Sequence, residues 1–247
     1  MHIEEFALGN SSIHNLDPRV KIVAALVFSL IVALNNSITM SVVAFCFPLA
    51  LIIVARISIK KLVMRLAAVN AFIGLLWLCL PFTVPGEALY SLGPLSIYRE
   101  GILSALSLTL KSNAIILATI ALLGTSRVFT LVHALSHLGV PHKLIHLFFF
   151  CFRYIQVIHE EYHKLANAAK MRSFKPGTNF HTYRTYAYFF GALLVRSFDR
   201  SHRIMAAMRC RGFKGEFYIL DDYQMKSLDY LVAGSSLVFI GALLVVR

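Results

Sequence analysis

The chain has 247 residues, of which 58% are apolar and only 15% are charged, and its mean hydropathy is +0.70. A soluble domain usually contains about 45–50% apolar and about 25% charged residues, so the surplus apolar surface must face lipid. These values exclude a soluble protein and indicate an integral membrane protein. The net charge of +12 could serve binding to nucleic acid, anionic lipid or an acidic partner, or it could set the membrane topology. The placement of the charges decides between these explanations.

Four apolar segments occupy the first half of the chain, and a fifth closes it. They cover residues 22–34, 38–54, 62–84, 101–124 and 230–246. A spanning helix needs about 20 residues, and the first segment approaches this length because Asp17-Pro18 is a good helix start and Asn35-Asn36 a good end. The acidic N-terminus lacks the order of a signal peptide, so we expect the first segment to stay in the mature protein.

The charges of the loops predict the orientation of these segments. Several basic residues lie between the second and third segments, whereas only Arg99 is basic between the third and fourth. Residues 125–228 contain 15 of the 24 Lys and Arg residues. By the positive-inside rule, the N-terminus, the 55–65 loop and residues 125–228 are cytoplasmic, and the C-terminus is outside. Topology therefore accounts for much of the positive charge, and nucleic-acid binding is not needed to explain it.

Two apolar stretches inside the basic segment, residues 144–152 and 186–195, are too short to span a membrane, and each continues without a break into a basic half. We interpret them as halves of long amphipathic helices. The predicted fold is an all-α integral membrane protein with about five transmembrane helices and a cytoplasmic domain of long helices between spans four and five. The predicted domains are residues 1–124, 125–228 and 229–247.

The cytoplasmic segment contains a repeat with an offset of 39 residues. Residues 160–175 read EEYHKLANAAKMRSFK and residues 199–214 read DRSHRIMAAMRCRGFK, with five of 16 positions identical. Both copies are predicted to end a helix, with Gly212 or Pro176-Gly177 as the stop, which places Arg172 and Arg211 at helix C-termini.

Two interpretations of this repeat stay open. Cations are favoured in the last turn of a helix by its dipole, by about 0.3–1 kcal/mol. The same Ala-x-x-x-Arg-x-Phe-Lys order occurring twice instead indicates two docking tips for two copies of one partner. The sequence has no phosphate-binding G-x-x-x-x-G-K-[ST] loop and no recognisable catalytic arrangement, so we expect a subunit without catalytic residues.

Three stretches resemble a known family, the transmembrane coupling subunits of energy-coupling factor transporters (EcfT), in their cobalt-transport branch (CbiQ). They are LDPRVK at 16–21, LGVPHKLIHLFFFCFRYIQVIHEEYHKLANAAKMRSF at 138–174 and GALLVRSFDRSHRIMAAMRCRGFKG at 191–215. The resemblance implies that residues 125–228 form a coupling domain whose two arginines dock into grooves of two ATP-binding-cassette subunits. Ser173 departs from the family pattern, which often has glycine there.

The resemblance also implies roles for particular residues. ATPase docking would involve both repeat ends: Arg172, Arg211, Ala168, Ala207, Met208, Ser173, Gly212, Lys170 and Arg209. Contact with a substrate-binding membrane subunit would involve the apolar halves, represented by Phe148, Phe149, Phe152 and Tyr186. Asp17, Pro18, Arg19 and Lys111 are expected to be structural. For Asp17-Pro18-Arg19 the alternatives are a simple helix cap or packing against the coupling domain.

The implied function is coupling in a cobalt or nickel importer of the prokaryotic inner membrane, with a vitamin importer as an alternative. The partners would be two ATPase subunits, a CbiM-like membrane subunit with or without a small CbiN-like one, and lipid. No catalytic residue and no cofactor is expected on this chain, because ATP and magnesium would be bound by the partners.

The chain has ten histidines, and six of them form pairs spaced i, i+4. These pairs raise an alternative to the coupling function, a metal-binding protein. The pairs are His133/His137, His142/His146 and His159/His163. Such pairs can hold a metal, but helix surfaces also carry histidines routinely, and our expectation is no metal site. A membrane di-iron enzyme with histidine boxes is the alternative, although no HxxHH box occurs. Lys111 lies within the fourth predicted span. An ionisable residue at this depth indicates a functional role. The alternative is that its side chain snorkels towards the membrane surface or contacts a neighbouring subunit.

Overall fold

A computed structural model describes residues 9, 11, 13–35, 37–85, 87–92 and 95–214, together with Gly234 and Gly241. The described elements are, in chain order, α1 Pro18–Leu34, α2 Ile38–Ala55, α3 Ile59–Thr83, β1 Ala88–Leu92, β2 Leu95–Tyr98, α4 Arg99–Leu122, α5 Val128–His137, α6 His142–Met171 and α7 Phe180–Cys210. The fifth apolar segment, residues 230–246, lies outside the described residues apart from two glycines.

The helical class predicted from composition is confirmed. Three of the described helices, α2, α3 and α4, are long and apolar enough to cross a membrane, and each lies within a few residues of the predicted segment. The first helix, α1, has 17 residues. The sequence therefore located α2, α3 and α4 from the lengths of their apolar runs, and α1 from a shorter run together with its predicted start and end.

The ends of the first two helices are set by side-chain caps. Asp17 precedes α1, and its carboxylate accepts a hydrogen bond from the Arg19 amide at 2.9 Å, while Pro18 takes the first helical position. Ser37 caps α2 by accepting from the Met40 amide at 3.2 Å. These caps satisfy amides that would otherwise lack a partner at the helix starts.

A short antiparallel hairpin, which was not predicted from the sequence, joins α3 to α4. Strands β1 and β2 pair from Ala88↔Tyr98 to Leu92↔Leu95, with an irregularity in register between positions 88 and 90. Each strand has only five or four residues. Runs this short carry too little periodicity to be separated from a loop by sequence alone.

Within the described residues, the chain divides into two compact units, one up to residue 134 and one built from residues 135–214. In the first unit, α4 packs against α1, α2 and α3. Its buried face is lined by small residues, Ala105, Ala114, Ala118 and Ala121, each at most 1% exposed. Small residues let helix backbones approach closely, which is how helices pack where lipid removes the hydrophobic driving force between them.

Lys21 is an exception among the lysines that the structure describes, because it is only 1% exposed. Its ammonium group donates to the Ser126 hydroxyl at 2.7 Å and to the His14 carbonyl at 3.3 Å. A buried cation is stable only when hydrogen bonds replace its water, so this lysine ties α1 to the segment after α4.

Candidate functional site

The second unit is dominated by two long helices, α6 with 30 residues and α7 with 31. This confirms that the stretches 144–152 and 186–195 are parts of longer helices. The two helices run antiparallel: the side chain of Phe174 contacts Tyr186 at 6.1 Å between ring centroids, Glu161 contacts Arg196, and Phe150 shares a cleft with Met208. Residue numbers fall along α6 as they rise along α7.

The end of α6, which we call tip 1 (residues 168–175), closes with a doubly hydrogen-bonded turn. The amide of Phe174 donates to the Ala169 carbonyl at 3.1 Å, and the amide of Ser173 donates to the Lys170 carbonyl at 3.0 Å. This pattern is the Schellman motif, which satisfies carbonyls left over at a helix end. Arg172 occupies the C-cap position.

The end of α7, tip 2 (residues 207–214), closes in the same way. The amide of Phe213 donates to the Met208 carbonyl at 3.1 Å, and the amide of Gly212 donates to the Arg209 carbonyl at 3.0 Å. Arg211 is the C-cap residue. The sequence repeat is therefore also a repeat of backbone geometry, residue for residue.

The stop of α6 was predicted at the wrong residues. The sequence indicates Pro176-Gly177 as the stop, whereas the chain already turns at Ser173, whose φ is +63°. Gly212, the equivalent residue of tip 2, has a φ of +80°. The left-handed conformation is normally left to glycine, and the two hydrogen bonds of tip 1 hold a serine in it.

Both tips present their side chains to solvent. Eight of the residues predicted to dock an ATPase are exposed: Ala168, Lys170, Arg172, Ser173, Ala207, Arg209, Arg211 and Gly212. Within residues 135–214, neither Arg172 nor Arg211 has an ion-pair partner. Met208 differs because it is half-buried and lines the cleft between the helices.

The antiparallel arrangement puts the two tips at opposite ends of the α6–α7 pair. Tip 1 lies beside the start of α7, since Phe174 contacts His181 with ring centroids 6.2 Å apart. Tip 2 lies at the other end of α7, which at about 1.5 Å per residue is about 46 Å long. The two exposed arginines are thus separated by nearly the full length of a helix.

A test of the tip geometry follows from the difference between Ser173 and Gly212. We expect Gly212→Ser to destabilise the last turn of α7 by about 1 kcal/mol, because a side chain is strained at positive φ. Amide hydrogen exchange in residues 207–214 should then be several-fold faster. Gly177→Ser is the matched control, since an added Cβ there meets only the Asn179 side chain, at 3.8 Å. Equal exchange in Gly212→Ser and wild type would contradict the prediction.

An apolar cleft of about 260 Å³ lies between α6 and α7. Its α6 wall includes Tyr154 and Val157, and its α7 wall includes Leu193, Ile204 and Met205. The residues predicted to contact a membrane partner lie elsewhere on the pair: Phe148 is 51% exposed, and Phe149 and Phe152 are half-buried.

Tyr186, the fourth of these residues, belongs to an aromatic cluster behind tip 1. Its ring lies 6.1 Å from that of Phe174 and 5.8 Å from that of Phe189. Tyr186 is still 40% exposed. The cluster joins the turn after α6 to the first half of α7, so Tyr186 has a structural contact besides its predicted surface role.

A charge cluster centred on Glu161 links the two helices, and sequence reasoning missed it. The carboxylate accepts from Arg196 of α7 at 2.8 Å and from Lys164 at 3.0 Å, and Arg200 of α7 lies 3.6 Å away. The hydrogen bond from Lys164, followed by that from Arg196, holds the pKa of Glu161 below its ordinary value of 4.5. The sequence did offer one sign of this cluster: Glu161 is one of few carboxylates in a strongly basic segment.

In the first unit, α3 and α4, two of the helices long and apolar enough to cross a membrane, are joined by polar side chains. Asn113 donates to the Asn70 side chain at 2.9 Å, and the Trp77 indole donates to the Thr109 hydroxyl at 2.9 Å. Lys111 lies half-buried on α4 between Thr109 and Asn113. It therefore stands among polar groups that link two helices.

Two of the histidines are close neighbours. The Nε2 atoms of His159 and His163 lie 3.0 Å apart on the exposed side of α6. Among the residues that the structure describes, no three His, Cys, Asp or Glu side chains come together as a metal centre. The clustered boxes of a di-iron enzyme are thus not found in that part of the chain.

Comparison with known proteins identifies the family. Residues 9–219 match the family model CbiQ, described as cobalt transport protein. The chain is 27% identical over 223 residues to the energy-coupling factor transporter transmembrane protein EcfT of Thermosediminibacter oceani, covering 86% of this chain and 84% of the relative. The EcfT proteins of Listeria innocua and Bacillus subtilis are 26% and 24% identical, each over 87% of this chain and 85% of theirs.

The family match covers the first four helices, the hairpin and both long helices of the second unit, which is far more than half of the sequence. The related proteins are named as transmembrane proteins of a transporter, in agreement with the apolar helices of this chain. The chain therefore belongs to the CbiQ family and is a non-catalytic, multi-pass membrane component of a transporter.

Proposed function

We propose that this chain is the coupling subunit of an energy-coupling factor importer, which transmits ATP-driven motion from two ATPase subunits to a substrate-binding membrane subunit. The observation that carries the proposal is the pair of matched, exposed arginine tips at opposite ends of two antiparallel helices. Two similar tips nearly a helix length apart fit two similar grooves on separate subunits. One tip would suffice for a single partner.

Arginine suits this role because its planar guanidinium donates charge-assisted, bidentate hydrogen bonds to carboxylates and single hydrogen bonds to carbonyls. Arg172 and Arg211 have no ion pair to give up within residues 135–214, so docking costs only their hydration. The alanines one turn before each arginine, Ala168 and Ala207, are exposed and small, which leaves space for the wall of a groove.

The antiparallel pair also offers a route for the motion. When the ATPase dimer closes on ATP, the two tips approach each other and the angle between α6 and α7 changes. The apolar surface around Phe148 would present this movement to the substrate-binding subunit. ATP and magnesium would be held by the partners, and no step of the chemistry uses a residue of this chain.

The remaining expectations from the sequence belong to the same proposal. The N-terminus and the coupling domain, residues 125–228, would lie in the cytoplasm of a prokaryote, with residues 229–247 as a last span. The cargo would be cobalt or nickel, which is supported by the description of the family as cobalt transport protein. A CbiM-like membrane subunit, with or without a CbiN-like one, would select the ion.

The experiment is co-expression of the chain with two candidate ATP-binding-cassette subunits and a substrate-binding membrane subunit, followed by purification and reconstitution into liposomes. We expect two ATPase subunits for each copy of the chain and ATP-dependent uptake of radioactive cobalt or nickel. Uptake of a labelled vitamin instead of a metal would show that the cargo is a vitamin, and the coupling role would still hold. Failure of any ATPase to co-purify would contradict the proposal as a whole.

A further inference from the structure

The exposed side of α6 carries two imidazoles in contact, outside both tips and the cleft. The Nε2 atoms of His159 and His163 are 3.0 Å apart, and their ring centroids are 4.4 Å apart. In this contact one ring donates its Nε2 hydrogen to the lone pair of the other. Both rings are exposed, so an ion from solvent can reach them without rearranging the helices.

The separation of the two nitrogens suits a shared metal ion. Imidazole nitrogens bind first-row divalent metals at about 2.0–2.1 Å, so two of them at a right angle around one ion stand about 3.0 Å apart, and about 3.4 Å at a tetrahedral angle. The observed 3.0 Å matches the first case. An ion would take the place of the shared hydrogen, with each ring then protonated on Nδ1.

The helix fixes the two ligands in advance. Residues four apart lie one above the other on a helix face, so the backbone already places both rings on one side. The same α6 carries the Glu161 cluster, which contacts α7 and anchors the helix turn between the two histidines. Because the backbone is already ordered, ion binding costs little conformational entropy, and this favours affinity.

Residues 159–163 read HEEYH, which fits the HExxH pattern of zinc proteases. In such enzymes a third ligand completes the site and the first Glu acts as general base. In the described part of the chain no third His, Cys, Asp or Glu joins this pair. The two histidines and the adjacent Glu160 are thus present without a third ligand, and water molecules would fill the other coordination positions.

We infer that His159 and His163 form a surface site for one divalent transition-metal ion of the class that imidazole binds, such as nickel(II) or cobalt(II). The site binds through both Nε2 atoms and keeps several water ligands. It is independent of the proposed coupling function and holds whichever cargo the transporter carries. Since imidazole complexes follow the usual order of divalent metals, nickel binds it more tightly than cobalt.

The test is calorimetric titration of the full chain in detergent with nickel chloride at about pH 7.5, where free imidazole is neutral. The protein is purified through a tag without histidine. We expect one saturable site that His163→Ala weakens by at least about tenfold, since even second-shell changes cost metal sites 10–100-fold. His142→Ala with His146→Ala, another pair with the same spacing, is the matched control and should bind as wild type.

Two results would overturn the inference: His163→Ala binding nickel as tightly as wild type, or the control weakening binding as much as His163→Ala. Alanine is a better helix former than histidine, so the variant at this exposed position should fold, which its helical circular dichroism will check. ATPase co-purification with His163→Ala separates the two proposals. It stays intact if the chain couples ATPases, whether or not nickel binds.

Discussion

Reversing both tip arginines, Arg172→Glu with Arg211→Glu, should abolish capture of ATPase subunits by this chain. Truncating one partner of a buried, hydrogen-bonded charge pair costs about 2–5 kcal/mol, so two reversals should weaken binding by about a thousandfold or more. Both residues are exposed C-cap residues, so the helices should persist. The lost favourable interaction with the helix dipole costs only about 0.3–1 kcal/mol at each end. The measurement is the ratio of ATPase to chain after co-purification from detergent.

A matched control separates docking from net charge. Lys60→Glu with Lys61→Glu makes the same charge change on exposed positions of α3, outside the α6–α7 pair. This variant should capture ATPase as wild type does. Each single tip variant should retain one ATPase contact and therefore lose mainly the gain from two-point attachment. Equal capture by the double tip variant and wild type would show that the repeat is not the docking site.

Glu161→Gln should impair transport while leaving ATPase capture intact. Glu161 is the carboxylate that the structure shows joining α6 to Arg196 and Arg200 of α7. Removing its charge leaves the surrounding cations to repel one another, so the two helices should no longer move as a unit. We expect several-fold faster amide exchange in the facing turns of α6 and α7, and a several-fold lower uptake rate per captured ATPase.

Glu160→Gln is the control for this prediction, because Glu160 is an exposed neighbour on the same helix turn. It should exchange and transport as wild type. If Glu161→Gln transports normally with unchanged exchange, the cluster does not transmit motion.

The same carboxylate predicts a pH dependence with a definite sign. Since the pKa of Glu161 is lowered in the folded chain, its contribution to stability is complete above 4.5 and is lost as the pH falls through the lowered value. Exchange in the facing turns of wild type should therefore rise as the pH falls below 4.5. Glu161→Gln should show faster exchange already at neutral pH. Its exchange rate should not rise again at low pH through this position, because glutamine does not titrate.

The helices of this chain were predictable because their signals are long. An apolar run of 17 or more residues with caps such as Asp17 and Ser37 has few alternatives to a helix. The long helices of the coupling domain were predictable for a related reason, since their apolar halves were too short to span a membrane. The hairpin at 88–98 was not, because strands of five and four residues contain too few periods.

The candidate site was only partly predictable. The repeat located both tip arginines, because identical residues at a constant offset are visible in a single sequence. The stop at Ser173 was missed, since a serine carries no signal for a positive φ and adopts one here only because two backbone hydrogen bonds require it. The Glu161 cluster depends on contacts between residues 35 and 39 positions apart, which no local pattern reports.

The antiparallel packing of α6 and α7 has a consequence for symmetry. A half-turn about an axis perpendicular to both helices exchanges α6 with α7 and, because of the 39-residue repeat, also exchanges tip 1 with tip 2. A single chain thereby acquires an approximate two-fold axis, the operation that relates the halves of a dimer. On the proposed docking, one copy would meet both halves of an ATPase dimer equivalently.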